Sequence, residues 1–201
     1  MQIQTVGIIG AGTMGNGIAQ ACATSGINVV MVDISEAAVQ KGLATVAGSL
    51  DRLIKKEKIS AADKEAALAK IKVSTDYSAL KAAQLVIEAA TENEALKVKI
   101  LQEVDALVGP EVLIASNTSS ISITKLAAVT GRADKFIGMH FFNPVPMMAL
   151  VEVIRGLQTS DATHAAVQAL AQQLGKTPIT VKNGPGFVVN RVLIPDRKSV
   201  V

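Results

Sequence analysis

The chain has 201 residues, 49% of them hydrophobic and 18% charged, as expected for an ordinary globular protein. Its net charge of +3 and pI of about 9.0 favour a small phosphate-bearing ligand over a nucleic acid. The single cysteine, Cys22, excludes a disulfide framework and a cysteine-based metal site, and we expect no bound metal. No leader sequence and no apolar run of about 18 residues is seen, so we expect a cytoplasmic protein without a membrane partner.

Apolar strand-like segments alternate with helical patterns along the chain. The predicted strands are 4–9, 27–33, 71–74, 85–88, 112–116, 136–142, 150–154 and 178–181. The predicted helices are 14–25, 36–58, 61–70, 94–108, 122–129 and 161–174. Ser60, with Asp63 three residues later, predicts the cap of the third helix. This alternation at short intervals is typical of a Rossmann-type α/β fold with a doubly wound, mostly parallel sheet.

A glycine-rich segment joins the first predicted strand to the first helix. Gly10 permits a tight turn, Gly12 lets the backbone approach a pyrophosphate, and Gly15 allows close packing of the helix. Asp33 ends the second strand, where a carboxylate accepts hydrogen bonds from both ribose hydroxyls but repels a 2′-phosphate. A lone glycine motif could be a plain turn, but strand, helix and acid together predict NAD as the cofactor.

Three later segments carry polar residues that a core does not need. They are the run 116–120, the end of the strand that holds His140, and Glu152 inside the apolar segment 150–154. Each has a structural explanation, since serines cap helices and a histidine in a strand is often a core residue. Glu152, however, would be costly to bury unpaired, which points to His140 as its partner. Such a pair moves protons near neutral pH, whereas we assign no role to His164.

Three motifs together resemble the L-3-hydroxyacyl-CoA dehydrogenase family. They are Ser-Asn-Thr-Ser-Ser at 116–120, His-Phe-Phe-Asn-Pro-Val-Pro at 140–146 and Pro-Gly-Phe-Val-Val-Asn-Arg at 185–191. The resemblance extends from Val6 to about Pro195. It implies the NAD-dependent, reversible oxidation of a (3S)-hydroxyacyl-CoA, with 3-hydroxybutyryl-CoA as the expected substrate, to the 3-ketoacyl-CoA.

The resemblance also implies roles for individual residues. His140 corresponds to the general base and Glu152 to its orienting partner, while Ser119 and Asn190 would hydrogen-bond the reacting oxygens of the substrate. The positions that match the NAD site are Gly10, Gly12, Thr13, Met14, Gly15, Asp33, Ala90, Glu92, Lys97, Asn117 and Asn143.

The CoA moiety would lie along the second helix, where the resemblance implies contacts from Ser49 and Lys56. A basic cluster on this helix gives weaker, independent support, because mobile cations suit CoA phosphates. Its members are Arg52, Lys55, Lys56 and Lys58. By itself this cluster would more often be a solvated helix face.

The end of the chain departs from the family pattern. We expect an NAD-binding domain over 1–184, a linker and first-helix stub of an all-helical domain over 185–195, and a non-native tail over 196–201. The full-length parent would dimerise through the missing helical domain. We therefore expect NAD affinity to be retained in this chain and turnover to be much reduced.

Two alternatives stay open. One is a catalytically idle NAD-binding module, since this fold does not by itself establish activity. The other is a β-hydroxyacid dehydrogenase, which shares the glycine-rich start but is expected to use a lysine base on a later helix. The pairing of His140 with Glu152 argues against this second alternative.

Overall fold

The computed structural model describes residues 2–192 of the chain. The strands are β1 (Thr5–Ile9), β2 (Asn28–Val32), β3 (Ile71–Ser74), β4 (Leu85–Glu88), β5 (Leu113–Ser116), β6 (Phe136–Phe141), β7 (Leu150–Arg155) and β8 (Thr177–Lys182). The α-helices are α1 (Thr13–Thr24), α2 (Glu36–Lys55), α3 (Ala61–Ala69), α4 (Glu94–Leu107), α5 (Ile123–Ala127) and α6 (Asp161–Gln173). Two 3₁₀ segments are Tyr77–Ala82 and Ala133–Lys135.

All eight strands form one sheet, in the order β3-β2-β1-β4-β5-β6-β7-β8. The strands from β1 to β6 pair in parallel, which gives the arrangement of a doubly wound dinucleotide-binding sheet. β7 then pairs antiparallel with β6, and β8 pairs in parallel with β7. The prediction of a Rossmann-type, mostly parallel sheet is confirmed.

Apolar cores cover both faces of the sheet because side chains alternate along each strand. In β2, Val29 and Met31 join the core beneath α1, α2, α3 and α6. Val30 and Val32 join the opposite core, beneath α4, α5 and the first 3₁₀ segment. Strands buried on both faces explain the continuous apolar runs of the sequence.

The predicted end of α2 was three residues too late. The helix ends at Lys55 because Glu57 adopts a left-handed conformation, with φ of 55°. The amides of Glu57 and Lys58 then donate to the carbonyls of Ile54 and Leu53, which closes the helix in the manner usual for glycine. A glutamate gives no sequence signal for such an ending, which explains the error.

The cap predicted for α3 is confirmed, since Ser60 and Asp63 form a reciprocal capping box. After β8 the chain continues through a turn to a helical segment that begins at Val189. Residues 193–195 of the predicted stub and the predicted tail 196–201 lie outside the described residues. Within residues 2–192, no helix is long and apolar enough to cross a membrane.

Candidate functional site

The glycine turn leaves room for a ligand where α1 begins. Gly10 has a φ of +99°, and a Cβ there would lie 2.7 Å from the Cα of Ala90. A Cβ on Gly15 would lie 1.7 Å from the carbonyl oxygen of Gly10, whereas one on Gly12 would meet no atom within 4 Å. Gly12 caps α1 without a side-chain hydrogen bond, so the first amides of the helix are available to a phosphate.

Asp33 completes this turn and keeps its carboxylate accessible. Its Oδ2 accepts a hydrogen bond of 2.8 Å from the amide of Ala11, which holds the glycine turn against the end of β2. The same carboxylate lines a cavity of about 310 Å³ between α1 and α2, together with Gly12, Thr13 and Lys41. An open glycine cradle, free helix amides, an acid and a lysine fit the pyrophosphate and ribose of NAD. Lys41 was not predicted as a site residue, because a single exposed lysine on a helix does not differ in sequence from an ordinary surface residue.

His140 and Glu152 form a buried pair at the carboxyl end of β6. They face each other across the antiparallel pairing with β7, and His140 Nδ1 lies 2.7 Å from Glu152 Oε2. A carboxylate only accepts hydrogen bonds, so the neutral imidazole carries its proton on Nδ1. Among the described residues, Nε2 of His140 has no hydrogen-bond partner. The ring therefore offers a free basic nitrogen at the edge of the sheet where ligands bind in this fold.

The second oxygen of Glu152 holds the segment that follows β8. Oε1 accepts hydrogen bonds from the amides of Val188 and Val189, at 3.0 and 2.9 Å. Phe187 adopts a φ of 50° there, and its ring centroid lies 5.9 Å from that of His140. Phe142 also packs against the imidazole, with centroids 4.5 Å apart. The carboxylate thus fixes both the histidine and the chain that leads to Asn190.

Asn190 and Ser119 are brought together by hydrogen bonds. The Asn190 side-chain amide donates to the carbonyl oxygen of Ser119, at 3.1 Å. The amide of Ser119 donates to Glu92 Oε1 at 2.7 Å, and Thr118 Oγ1 donates to Glu92 Oε2 at 2.8 Å. The Ser119 hydroxyl has no hydrogen bond to any residue within 2–192 and can serve a ligand. Hydrogen bonds thus join His140 to Glu152 and Asn190 to Ser119, and Glu152 connects the two pairs by holding the backbone amides just before Asn190.

Asn117 and Asn143 occupy different environments. Asn117 is buried, and its Oδ1 accepts from the amide of Phe141 at 2.9 Å, which joins the ends of β5 and β6. Asn143 is exposed in the turn that connects β6 to β7. Lys176 holds this turn by donating to the carbonyls of Val145 and Met148, and burial lowers the pKa of its ammonium.

Lys97, one of the predicted cofactor contacts, is almost completely buried at the start of α4. Its side chain is 1% exposed, and its ammonium forms an ion pair with Glu88, whose side chain is 0% exposed. The hydroxyl of Ser116 donates to the same carboxylate oxygen at 2.8 Å. The Lys97 ammonium is therefore already paired inside the protein, and its contact with NAD stays a prediction. Glu88 was missed, although an acid that ends a buried strand gave the same signal as Glu152.

Ser49 and Lys56 lie seven residues apart on α2 and its C-cap, hence on one face two turns apart. Ser49 is half-buried and Lys56 is exposed. Arg52, Lys55 and Lys58 are also exposed. The hydrogen bonds among residues 2–192 do not link this surface to His140, and its role in binding CoA stays a prediction.

Comparison with known proteins agrees with this arrangement. Residues 5–184 match the family model described as "3-hydroxyacyl-CoA dehydrogenase, NAD binding domain". A 3-hydroxybutyryl-CoA dehydrogenase of Bradyrhizobium diazoefficiens is 47% identical over 193 residues, which cover 96% of this chain and 66% of that protein. A probable 3-hydroxybutyryl-CoA dehydrogenase of Deinococcus radiodurans is 48% identical over 94% of this chain and 68% of its own length.

A solved structure is similar over the same span. The crystal structure of (S)-3-hydroxybutyryl-CoA dehydrogenase PaaH1 from Ralstonia eutropha superposes with a TM-score of 0.96 and 77% identity. The alignment covers 97% of this chain and 69% of that one, so the chain spans about two thirds of the length of these relatives. The chain belongs to the 3-hydroxyacyl-CoA dehydrogenase family, and residues 5–184 are its NAD-binding domain.

Proposed function

We propose that the chain carries out the NAD-dependent interconversion of a (3S)-hydroxyacyl-CoA and the 3-ketoacyl-CoA, with 3-hydroxybutyryl-CoA as substrate. The observation that carries this proposal is the buried pair of His140 and Glu152, with Nε2 of the imidazole left free. The names of the relatives support the choice of the four-carbon substrate. We also propose that the reaction takes place in the cytoplasm, as the lone reduced Cys22 suits a reducing compartment.

The position of the pair along the sheet suits a dinucleotide. Three strand spacings separate β1, which leads into the glycine turn, from β6, which carries His140. At about 4.8 Å each, they span about 14 Å, a distance that an extended dinucleotide bridges along the carboxyl edge. The nicotinamide, when bound, accepts or returns a hydride. The turn at Gly12 and the carboxylate of Asp33 would hold the other end.

The proposed proton transfer follows from the tautomer of His140. In the oxidation, Nε2 takes the proton of the 3-hydroxyl group as hydride leaves the same carbon. The imidazolium that results is stabilised by the carboxylate of Glu152, which already accepts the Nδ1 proton. In the reduction, Nε2 returns its proton to the carbonyl oxygen.

Ser119 and Asn190 would position the reacting oxygens. The free hydroxyl of Ser119 can donate to the substrate, and the Asn190 amide keeps a second N–H beyond the one bonded to Ser119. Ser49 and Lys56 would bind the CoA moiety along α2. We further propose that the parent protein acts as a homodimer.

The test is the oxidation of NADH by acetoacetyl-CoA under single-turnover conditions, with the chain in excess over NADH. We expect oxidation that is lost in His140→Ala, while NADH still binds. A slow rate is sufficient, because a single turnover registers even a poorly active site. NADH that binds without any oxidation would contradict the proposal and favour the idle module. Oxidation that persists in His140→Ala would remove the proposed base and favour a lysine-based mechanism.

A further inference from the structure

The turn that connects β6 to β7 is held by a residue from outside the proposed site. This proline turn, residues 143–148, has the sequence Asn-Pro-Val-Pro-Met-Met. The ammonium of Lys176 donates hydrogen bonds to the carbonyls of Val145 and Met148, at 2.6 and 2.9 Å. Among residues 2–192, no other group donates to either carbonyl. One side chain thus satisfies two carbonyls of the turn that would otherwise lack a partner in the protein.

Lys176 reaches the proline turn from the connection between α6 and β8. Gly175, with φ of +69°, follows the end of α6, and Thr177 begins β8. The amide of Thr177 donates to the carbonyl of Ala149 at 2.7 Å, which brings the start of β8 next to the proline turn. Lys176 is half-buried, and burial lowers the pKa of its ammonium. A cation withdrawn from water in this way needs hydrogen-bond acceptors, and the two carbonyls provide them.

A second contact joins the proline turn to the helix that begins the proposed dinucleotide site. Val145 is 2% exposed and packs against α1 at Gly17. A Cβ on Gly17 would lie 2.9 Å from the Cβ of Val145, so an added methyl group would have to displace either the turn or the helix. The glycine therefore permits a close approach, and this approach sets the distance between the turn and α1.

The proline turn also continues directly from the proposed base. Only two phenylalanines separate His140 from Asn143, the proposed NAD contact that begins the turn. The ring of Phe142 packs against the imidazole, with centroids 4.5 Å apart. A displacement of the turn would therefore move both the ring beside the base and the proposed cofactor contact. Within residues 2–192, no hydrogen bond joins the proline turn to Asp33 or to the glycine turn.

We propose that Lys176 is a positioning residue, which holds the proline turn so that Phe142 and Asn143 stay in place beside His140. Lys176 acts through the two carbonyls and not by contact with NAD or substrate. The inference rests on the proposed function. It predicts a selective effect, in which the steps at His140 slow while the adenosine diphosphate end of the cofactor binds as before, because Asp33 and the glycine turn are held by other contacts.

The experiment compares two substitutions of Lys176. Lys176→Met removes the donors, whereas Lys176→Arg retains donors for both carbonyls. In the methionine variant, we expect single-turnover oxidation of NADH by acetoacetyl-CoA to slow by about 10-fold or more. The Kd for ADP-ribose, which lacks the nicotinamide and is measured by displacement of NADH, should change less than twofold. The arginine variant should recover a rate within threefold of that of the unchanged chain.

The control is a lysine that holds a turn at the opposite edge of the sheet. Lys135 precedes β6 and donates to the carbonyl of Pro110 at 2.8 Å and to Glu111 Oε2 at 3.2 Å. Lys135→Met should leave the rate and the Kd for ADP-ribose within twofold of the unchanged chain. The amides of residues 147 and 148, which both donate to the carbonyl of Pro144, should exchange faster in Lys176→Met and not in this control.

Gly17→Ala displaces the same turn without a change at Lys176, and it keeps the inference testable if Lys176→Met does not fold. Alanine favours a helix more than glycine does, so α1 itself should tolerate the change. Because the added methyl group must displace Val145, we expect the single-turnover rate to fall by about fivefold or more. A Gly17→Ala variant with the original rate would show that the placement of the turn does not matter, and would overturn the inference.

The remaining outcomes separate the inference from the proposed function. A Lys176→Met variant as fast as the unchanged chain would overturn the positioning role and leave the proposed function intact. An arginine variant as slow as the methionine variant, or a rise in the Kd for ADP-ribose that matches the fall in rate, would overturn the positioning role as well. An unchanged chain that binds NADH without oxidation would overturn the proposed function, and the positioning role with it.

Discussion

Glu152 holds His140 with one carboxylate oxygen and the backbone of residues 188 and 189 with the other. The distances are 2.7 Å to the imidazole Nδ1 and 3.0 and 2.9 Å to the two amides. All three partners are donors, so a group that accepts at both ends is required. The orientation of the proposed base and the placement of Asn190 consequently depend on the same buried charge.

Glu152→Gln should therefore abolish most of the proposed activity even though it preserves the shape of the side chain. The amide of glutamine accepts at one end only, and its NH₂ must face either the imidazole or the backbone amides. We expect single-turnover oxidation of NADH by acetoacetyl-CoA to slow by about 100-fold or more. The Kd for NADH should change by less than twofold, since the glycine turn is untouched. A Gln variant with the original rate would contradict the shared role of this carboxylate.

Asp33 should be judged by two substitutions. Asp33→Ala removes the acceptor of the Ala11 amide as well as the proposed ribose contact, whereas Asp33→Asn retains one acceptor oxygen for that amide. We expect the alanine variant to bind NADH about 10- to 100-fold more weakly, in line with the loss of charge-assisted hydrogen bonds. In a fluorescence titration, the Kd of the asparagine variant for NADH should lie between that of the alanine variant and that of the unchanged chain. Equal losses in both variants would show that the turn does not depend on the Ala11 bond.

Glu57→Gly should stabilise the chain, because a left-handed conformation costs an L-residue about 1 kcal/mol or more and costs glycine little. We expect a gain of about 1 kcal/mol in the free energy of unfolding, measured with urea. Gly26→Ala is the matched opposite: its φ is +84° and a Cβ would meet no atom within 4 Å, so it should lose about the same amount through the backbone alone. A loss of stability in Glu57→Gly would contradict this account of the end of α2.

Cys22 should make the free energy of unfolding depend on pH in the alkaline range. Burial in α1 raises the pKa of its thiol from 9.0 to about 12. The folded state thus keeps the proton that the unfolded state releases, so this contribution is fully present below pH 9 and is lost as the pH rises towards 12. At pH 10 the loss is about 1.4 kcal/mol relative to pH 8. Urea unfolding at pH 8 and pH 10 should show a smaller difference in the free energy of unfolding for Cys22→Ala than for the unchanged chain. An equal difference in the variant and the unchanged chain would argue against the effect of the buried thiol.

Much of the fold could be predicted because its signals are local. The strands are continuous apolar runs, the glycine turn has its own spacing, and Ser60 with Asp63 is a cap readable from four residues. The direction of β7 was not predicted, yet the sequence contains the information. Eight residues between Phe141 and Leu150 are too few for the crossover that a parallel neighbour requires.

The candidate site was harder to predict in its internal contacts. An acid at the end of a buried strand, such as Glu88, predicts that some partner must neutralise its charge. That partner, Lys97, lies on a helix, where lysines are usually exposed, so the sequence did not identify it. Tyr77–Ala82 was missed as well, because a six-residue 3₁₀ segment shows no helical period over so short a span. Which partner a buried charge finds depends on how separate elements pack, and spacing along the chain does not encode it.

The reversal of strand direction at β7 separates two groups of proposed site residues along the sequence. Of the residues proposed to bind NAD, all but Asn143 lie before the end of β6, at Phe141. The carboxylate of Glu152, which holds the proposed base His140, lies on β7, and the segment that this carboxylate anchors follows β8. The residues proposed for binding and for proton transfer thus come largely from consecutive stretches of sequence, and β7 supplies the carboxylate that the proposed acid–base chemistry requires.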